Sequence, residues 1–491
     1  MRSISILAIS ALTFLLANQS IGQQVEWVKQ IENSGGEFHH SSWAYDVCSD
    51  EDGNVYTLGT FKGTFDFDPG AGVSELTSVN TDLFLMKMDT DGKFAWVQHM
   101  ETEKGSKGSR PTSVAVDKDG GVYAAGNYTN HLAIQTIESD VLLKEDIGES
   151  GSKGLTNAFL IKFDRNGIYE WSKGIGSTGY DECTDMEIDR NDNIRMIGKF
   201  EHKVNFNPNG VEKTLETAVG KTGSYFASYN LNGEFMAAGH LSDGSSGSVP
   251  KSFSSDEAGN SYLIGDFSGS MEYKLPTGDK TFSTEEGAAN IYITKVDRRG
   301  RVMWVKFIEG EAYNKGKSIV ANSEGTVYVN GYFSKSINAT GILGEKSATA
   351  IGKRDVFIAK FNMDGDPEWI RTIVSDAYGD VSAIALDPTE NVFIAGHFNG
   401  MITPENHDPI QSAGNSDAYI LRYTRNGDIM WSQQLKGTQN VYLNSIFVDD
   451  MRKIHVVGAF MGQVDFGVST LDSHLMNKNF PAGDAYILRM K

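Results

Sequence analysis

The chain has 491 residues, 53 of them glycine and 10 proline, and carries 44 basic against 64 acidic side chains, a formal charge of −20. That balance excludes a nucleic-acid grip built on phosphate neutralisation. A hydrophobic share of 40% with 11% aromatic residues excludes a disordered chain.

The first segment reads as an address. Arg2 precedes an apolar run from Ile4 to Ala17, and Ser20-Ile21-Gly22 supplies the small-x-small pattern of a signal-peptidase site. The run is shorter than the roughly 20 apolar residues a membrane span needs, and no cysteine follows it to carry a lipid. Residues 1–22 are therefore expected to be a signal peptide. Residues 23–491 are expected to form one exported domain with no membrane span, secreted or periplasmic.

From there the chain repeats. Two hydrophobic residues, a short gap, Gly, one residue and an aromatic recur at Val55–Phe61, Val122–Tyr128, Ile194–Phe200, Ser261–Phe267, Val327–Phe333, Val392–Phe398 and Ile454–Phe460. The glycines (Gly59, Gly126, Gly198, Gly265, Gly331, Gly396, Gly458) are 62–72 residues apart. A second pattern keeps step with the first, from Asp82–Asp89 to Asp484–Met490. In the first six copies it is followed by a turn ending in Gly and a segment marked by Trp96, Trp171, Trp304, Trp369 or Trp431, with Met236 once in place of Trp. Each unit thus reads as four short strands, a to d, cut by Gly and Asp/Asn turns. Trp27 marks a spare d-type strand ahead of the first unit, and the chain stops after a c-type strand. The expected fold is all-β: a seven-bladed β-propeller of four-stranded antiparallel blades, the last blade closed by the N-terminal strand.

Asp50-Glu51-Asp52-Gly53-Asn54-Val55-Tyr56 and Asp355-Val356-Phe357-Ile358-Ala359-Lys360-Phe361 resemble the bacterial SBBP-type β-propeller repeat. The resemblance covers nearly all of 23–491, with local departures at Met236, Ser261 and Asn322. It implies a propeller fold and export, and it brings no shared catalytic residues.

In an antiparallel meander the b–c and d–a connections emerge on one face. The b–c connections are long and dissimilar, which marks that face for recognition. The d–a loops at its centre carry the candidate ligand-binding residues His39, His40, Trp43, Arg110, Tyr180, Asp181, Glu182, Glu311, Tyr313, Asp376, Tyr378, Asp380 and Tyr442, along with Lys104 and Lys107. Aromatic rings beside carboxylates suit sugar stacking and hydroxyl hydrogen bonds.

The recurring Lys or Arg of strand c and the recurring Asp that ends strand a read as structural. Asp66 and Asp68 form the one calcium candidate, although the echo at Asn205 and Asn207 fits turn chemistry better. No other metal and no cofactor is expected. Cys48 and Cys183 fall on separate a-strands and are expected to be buried and unpaired.

No metalloprotease, nucleophile-elbow or phosphate-loop motif is present. The leading expectation is a monomeric, non-catalytic scaffold for an extracytoplasmic protein or polysaccharide. The rival is a carbohydrate-active hydrolase or lyase drawing on Asp181, Glu182, Glu311, Asp376 or Asp380. A third reading is a structural surface component with a flat loop face.

Overall fold

Strand b of the second unit, Val122–Thr129, is buried at every position. A strand buried on both faces needs a neighbouring sheet on each side, and a ring of stacked sheets supplies one. In the computed structural model, which describes residues 24–35, 40–103, 108–136, 139–144, 155–207, 210–244, 248–342, 344–467, 474–477 and 482–491, the sheets stack in that way. The expected signal peptide lies outside the described residues.

The expectation of a seven-bladed propeller of four-stranded blades is corrected. Six blades are self-contained, each built from one contiguous stretch: Ser41–Thr102, Arg110–Ile175, Glu182–Gly244, Val249–Gly310, Lys315–Ser375 and Tyr378–Gly437. The seventh copy of the motif makes no such blade. Val441–Val448, Ile454–Phe460 and Asp484–Met490 share a composite sheet with the N-terminal strand Val25–Gln30. There Trp27 pairs with Arg489 and Gln30 with Tyr486, as the spare strand suggested. Asn444 Nδ2 donates to the Ala44 carbonyl at 2.7 Å, tying this sheet to the first blade and closing the ring.

Strand number departs from four as well. The b–c connections are not open loops. The hairpin His131–Ile134/Val141–Lys144 of the second blade adds to strand d of the first. Ser270–Tyr273 joins the third blade, Ser336–Gly341 the fourth, Met401–Pro404 the fifth and Gln463–Asp465 the sixth. Each hairpin reaches back and covers part of the preceding blade's outer edge, because an uncovered edge strand presents unpaired N–H and C=O groups. Their variability reflects backbone pairing, which tolerates many side chains.

The repeated residues hold blades together. Trp27 and Trp96 donate their indole N–H to the Thr90 and Arg165 carbonyls, both at 3.1 Å, in the c–d turn of the following blade. The glycine of that turn sits against the ring: Gly167, at φ +80°, would place a Cβ 2.8 Å from Trp96, so only glycine suits both conformation and space. The Asp ending strand a serves its own turn. Asp117 Oδ1 accepts from Gly121 N at 2.7 Å, and its Oδ2 accepts from the Tyr123 hydroxyl at 2.9 Å. The strand-c Lys lies over that Tyr, with Lys162 Nζ 5.4 Å from the Tyr123 centroid and Lys87 4.9 Å from that of Tyr56. Arg422 bonds Asp387 directly at 2.8 Å. The repeated Asp and Lys or Arg have structural partners, as the sequence implied.

Trp96→Ala removes a half-buried ring and an inter-blade hydrogen bond. It should lower unfolding free energy by about 2 kcal/mol, read as an earlier thermal midpoint. An unchanged midpoint would show that the indole seam does not bind blades.

Candidate functional site

The innermost strands share one irregularity. Each carries a β-bulge just beyond the partner of the repeated glycine, with register shifts at Ala44/Asp46, Pro111/Ser113, Cys183/Asp185, Pro250/Ser252, Gly316/Ser318, Val381/Ala383 and Leu443/Ser445. A bulge re-aims the extra side chain. The extra residues, among them Tyr45, Lys251, Lys317 and Asn444, line a central channel of about 490 Å³. One layer nearer the loops, the residue after each glycine pairs with strand a: Trp43↔Thr60, Arg110↔Asn127, Glu182↔Lys199, Val249↔Asp266, Lys315↔Tyr332, Asp380↔His397 and Tyr442↔Ala459. This layer is the mouth of the channel.

Its side chains form an arc. The Trp43 and Tyr442 rings are 5.4 Å apart, and Tyr442 meets His397 edge-on at 5.2 Å. Asp380 stands 3.4 Å from Lys317 and 3.6 Å from Arg354. The Arg354 guanidinium lies over Tyr332 at 4.3 Å and over Tyr378 at 5.2 Å. Lys315 pairs with Asp266 and lies 4.9 Å above the Tyr313 ring. Lys199 bonds Glu182 at 2.9 Å. Burial lowers the pKa of His397. Burial also raises that of Asp266 against the opposing Lys315 hydrogen bond.

Of the expected residues, Trp43, Glu182, Tyr313, Tyr378, Asp380 and Tyr442 meet on this arc. Arg110 is exposed on the same layer, opposite Asn127. Others sit apart. Asp181 is buried and accepts from Glu201 N at 3.0 Å; burial pushes its carboxyl up to about 7. Asp376 accepts from Met401 N at 2.7 Å, stapling its loop to a hairpin. The Tyr180 ring is exposed, and its backbone N–H donates to Glu201 Oε2 at 3.2 Å. His40 packs against Gly63, and Glu311 is exposed beside Glu309 and Asn290. His39, Lys104 and Lys107 lie outside the described residues.

Sequence reasoning missed Lys199, Lys251, Asp266, Lys317, Tyr332, Arg354 and His397. A usable signal existed for four of the mouth residues, since Lys199, Asp266, Tyr332 and His397 each follow a repeated glycine. The bulges that expose Lys251 and Lys317 lie just beyond the partners of Gly265 and Gly331, a pairing that only the sheet register reveals.

Deeper in the channel, carboxylates link blades. Asp46 accepts from Val114 N at 2.8 Å and from the Ser445 hydroxyl at 2.7 Å. Asp185 accepts from the Ser113 hydroxyl at 2.9 Å and from Phe253 N at 3.0 Å. Burial raises Asp46 to about 7, Asp185 to about 6 and Glu187 to about 8. Their partners are backbone and serine groups of neighbouring blades, the bonding of inter-blade ties.

The calcium candidate behaves as a turn. Asp66 Oδ1 accepts from Asp68 N at 3.0 Å and Ser74 N at 2.8 Å, and Asn205 Oδ1 accepts likewise from Asn207 N and Lys213 N. An amide doing the same work shows that the turn does not require charge. Among the described residues no three His, Cys, Asp or Glu side chains gather as a metal-holding group. Cys48 and Cys183 are buried and free.

No family model matches the chain. It is 22% identical, over 457 residues, to an uncharacterized WD repeat-containing protein, L264, of Acanthamoeba polyphaga mimivirus; the match covers 78% of this chain and 32% of that protein, so the chain spans about a third of its relative's length. Among solved structures it is similar to U3-55K (8% identical, covering 95% of this chain and 99% of that one, TM-score 0.36). It is also similar to a virginiamycin B lyase from Staphylococcus aureus (10% identical, 94% and 98%, TM-score 0.37). The chain is a β-propeller repeat protein. No helix among the described residues is long and apolar enough to cross a membrane.

Proposed function

We propose that this protein is an exported, non-catalytic binding propeller, akin to the SBBP-type repeat proteins, whose channel mouth engages an extracytoplasmic protein or polysaccharide. The observation that carries the reading is the arc itself. Trp43, Tyr442 and His397 form a continuous aromatic cluster, and next to it Asp380, Arg354 and Tyr378 supply charge and an exposed ring. Aromatic and arginine side chains grouped at the centre of a rigid face are the composition of a binding hot spot. The carboxylates of the arc are engaged by Lys and Arg rather than paired with one another, which favours recognition over acid–base chemistry. The signal-peptide pattern read in residues 1–22 supports export.

The test is titration of the mature protein against extracytoplasmic glycans and proteins, with product analysis of every mixture. Saturable binding without turnover is expected, and Tyr442→Ala should weaken it about tenfold. Robust hydrolysis or elimination, or an unchanged affinity in Tyr442→Ala, would overturn the reading.

A further inference from the structure

The mouth carries more positive charge than a chain of net charge −20 would suggest. Lys199, Lys251, Lys315, Lys317 and Arg354, with Arg110 exposed on the same layer, stand among three carboxylates, Glu182, Asp266 and Asp380. Four of the cations are ion-paired. Lys251 is not: the two acids it senses, Asp266 and Glu182, are bound to Lys315 and Lys199, and it makes no ion pair among the described residues.

The position of Lys251 is set by the backbone. It is the extra residue of the bulge between Pro250 and Ser252, so its side chain enters the top of the channel. Protein surrounds it closely enough for burial to lower its ammonium pKa, yet its surface stays open to the channel. Lys317, the bulge residue of the next blade, lines the same channel. A partly desolvated ammonium whose nearest acids are already ion-paired to other lysines is the state that a ligand anion relieves.

We infer that the mouth binds an acidic polysaccharide, a carboxylate- or sulfate-bearing chain, with Lys251 as the central anion contact, Lys317 beside it, and the rings of Tyr313 and Tyr378 stacking on sugar faces. Those rings are 54% and 51% exposed beside the cations, open to a flat partner. Such a polymer spaces its charges with apolar ring faces between them, which matches cations alternating with aromatics. The overall negative field repels any polyanion at long range, while the local attraction acts within about 10 Å at 0.1 M salt. This inference rests on the binding-scaffold reading above and adds the ligand's chemistry to it.

The experiment is calorimetric titration of the mature chain with oligogalacturonate, its fully methyl-esterified form, dextran sulfate and poly-glutamate, at low and high salt. Oligogalacturonate or dextran sulfate should bind, and the tighter of the two identifies the anion. The neutral ester should bind at least about tenfold more weakly, and added salt should weaken the anionic ligands. Lys251→Gln should lose about tenfold in affinity and Lys251→Arg should retain it; Lys203→Gln, on a peripheral hairpin, should match the parent. Thermal midpoints establish that each variant is folded. Equal binding of the ester, or parental affinity in Lys251→Gln, overturns the inference and leaves the scaffold reading standing. Preference for poly-glutamate overturns the saccharide assignment. Turnover of the polymer overturns the scaffold reading instead.

Discussion

Gly198→Ala is expected to leave little soluble, folded protein, with a loss of unfolding free energy above roughly 4 kcal/mol. The reason is a backbone approach. Gly198 pairs with Cys183 immediately before the bulge at Cys183/Asp185, which brings the Glu182 carbonyl over the glycine. A Cβ would overlap that oxygen and stand 2.8 Å from the Tyr225 ring, itself fully buried. Neither neighbour is the free end of a flexible chain, so strand a would have to move and the mouth residue Glu182 with it. Gly278, with open space around it, is the control position; its positive φ of 111° confines the effect there to local strain. Circular dichroism with chemical denaturation reads the difference. A Gly198→Ala protein as stable as the parent would show that the glycine does not serve the bulge.

The second large effect is on pH. Asp46 and Asp185 have their pKa values raised from 3.8 to about 7 and about 6 by burial, and Glu187 rises from 4.5 to about 8 for the same reason. Between pH 4 and 8 the folded chain therefore holds protons that the unfolded chain has released. The protonated carboxyls support the fold fully below about pH 4, and that support is lost as pH rises through the folded-state values. A shift of about three units corresponds to roughly 4 kcal/mol for one group. Asp46→Asn keeps an acceptor for Val114 N and cannot ionise. Its stability should change less between pH 5 and pH 8 than the parent's, by roughly 2 kcal/mol or more. Denaturant midpoints at the two pH values give the answer, and an identical pH slope in the variant would remove Asp46 as its source.

Much of this fold was legible because its makers repeat. Gly59, Trp96 and Asp117 recur in register since every blade meets the same problems: a bulge to accommodate, a neighbour to grip, a turn to close. Trp27 and Asp484 marked the joined ends for the same reason. The residues that assemble the mouth do not recur. Tyr442, His397, Arg354 and Lys251 come from four different stretches of chain and differ in type. Asp181 and Asp376 misled because an acidic loop residue looks alike whether it faces a ligand or caps a backbone N–H. Periodicity also suggested seven four-stranded blades. It could not show that only six are self-contained, nor that variable connections would fold back as hairpins onto preceding blades.

The sequence by itself determined the all-β repeat, the a-to-d order of its strands and the structural standing of its recurrent strand-c Lys or Arg and strand-a Asp, because local turn chemistry and strand periodicity act over a few neighbouring residues. Only the tertiary structure decided which side chains share the channel mouth, which acids have raised pKa values and which mouth lysine makes no ion pair among the described residues. Those properties depend on distances between blades and on burial, and ring closure sets both.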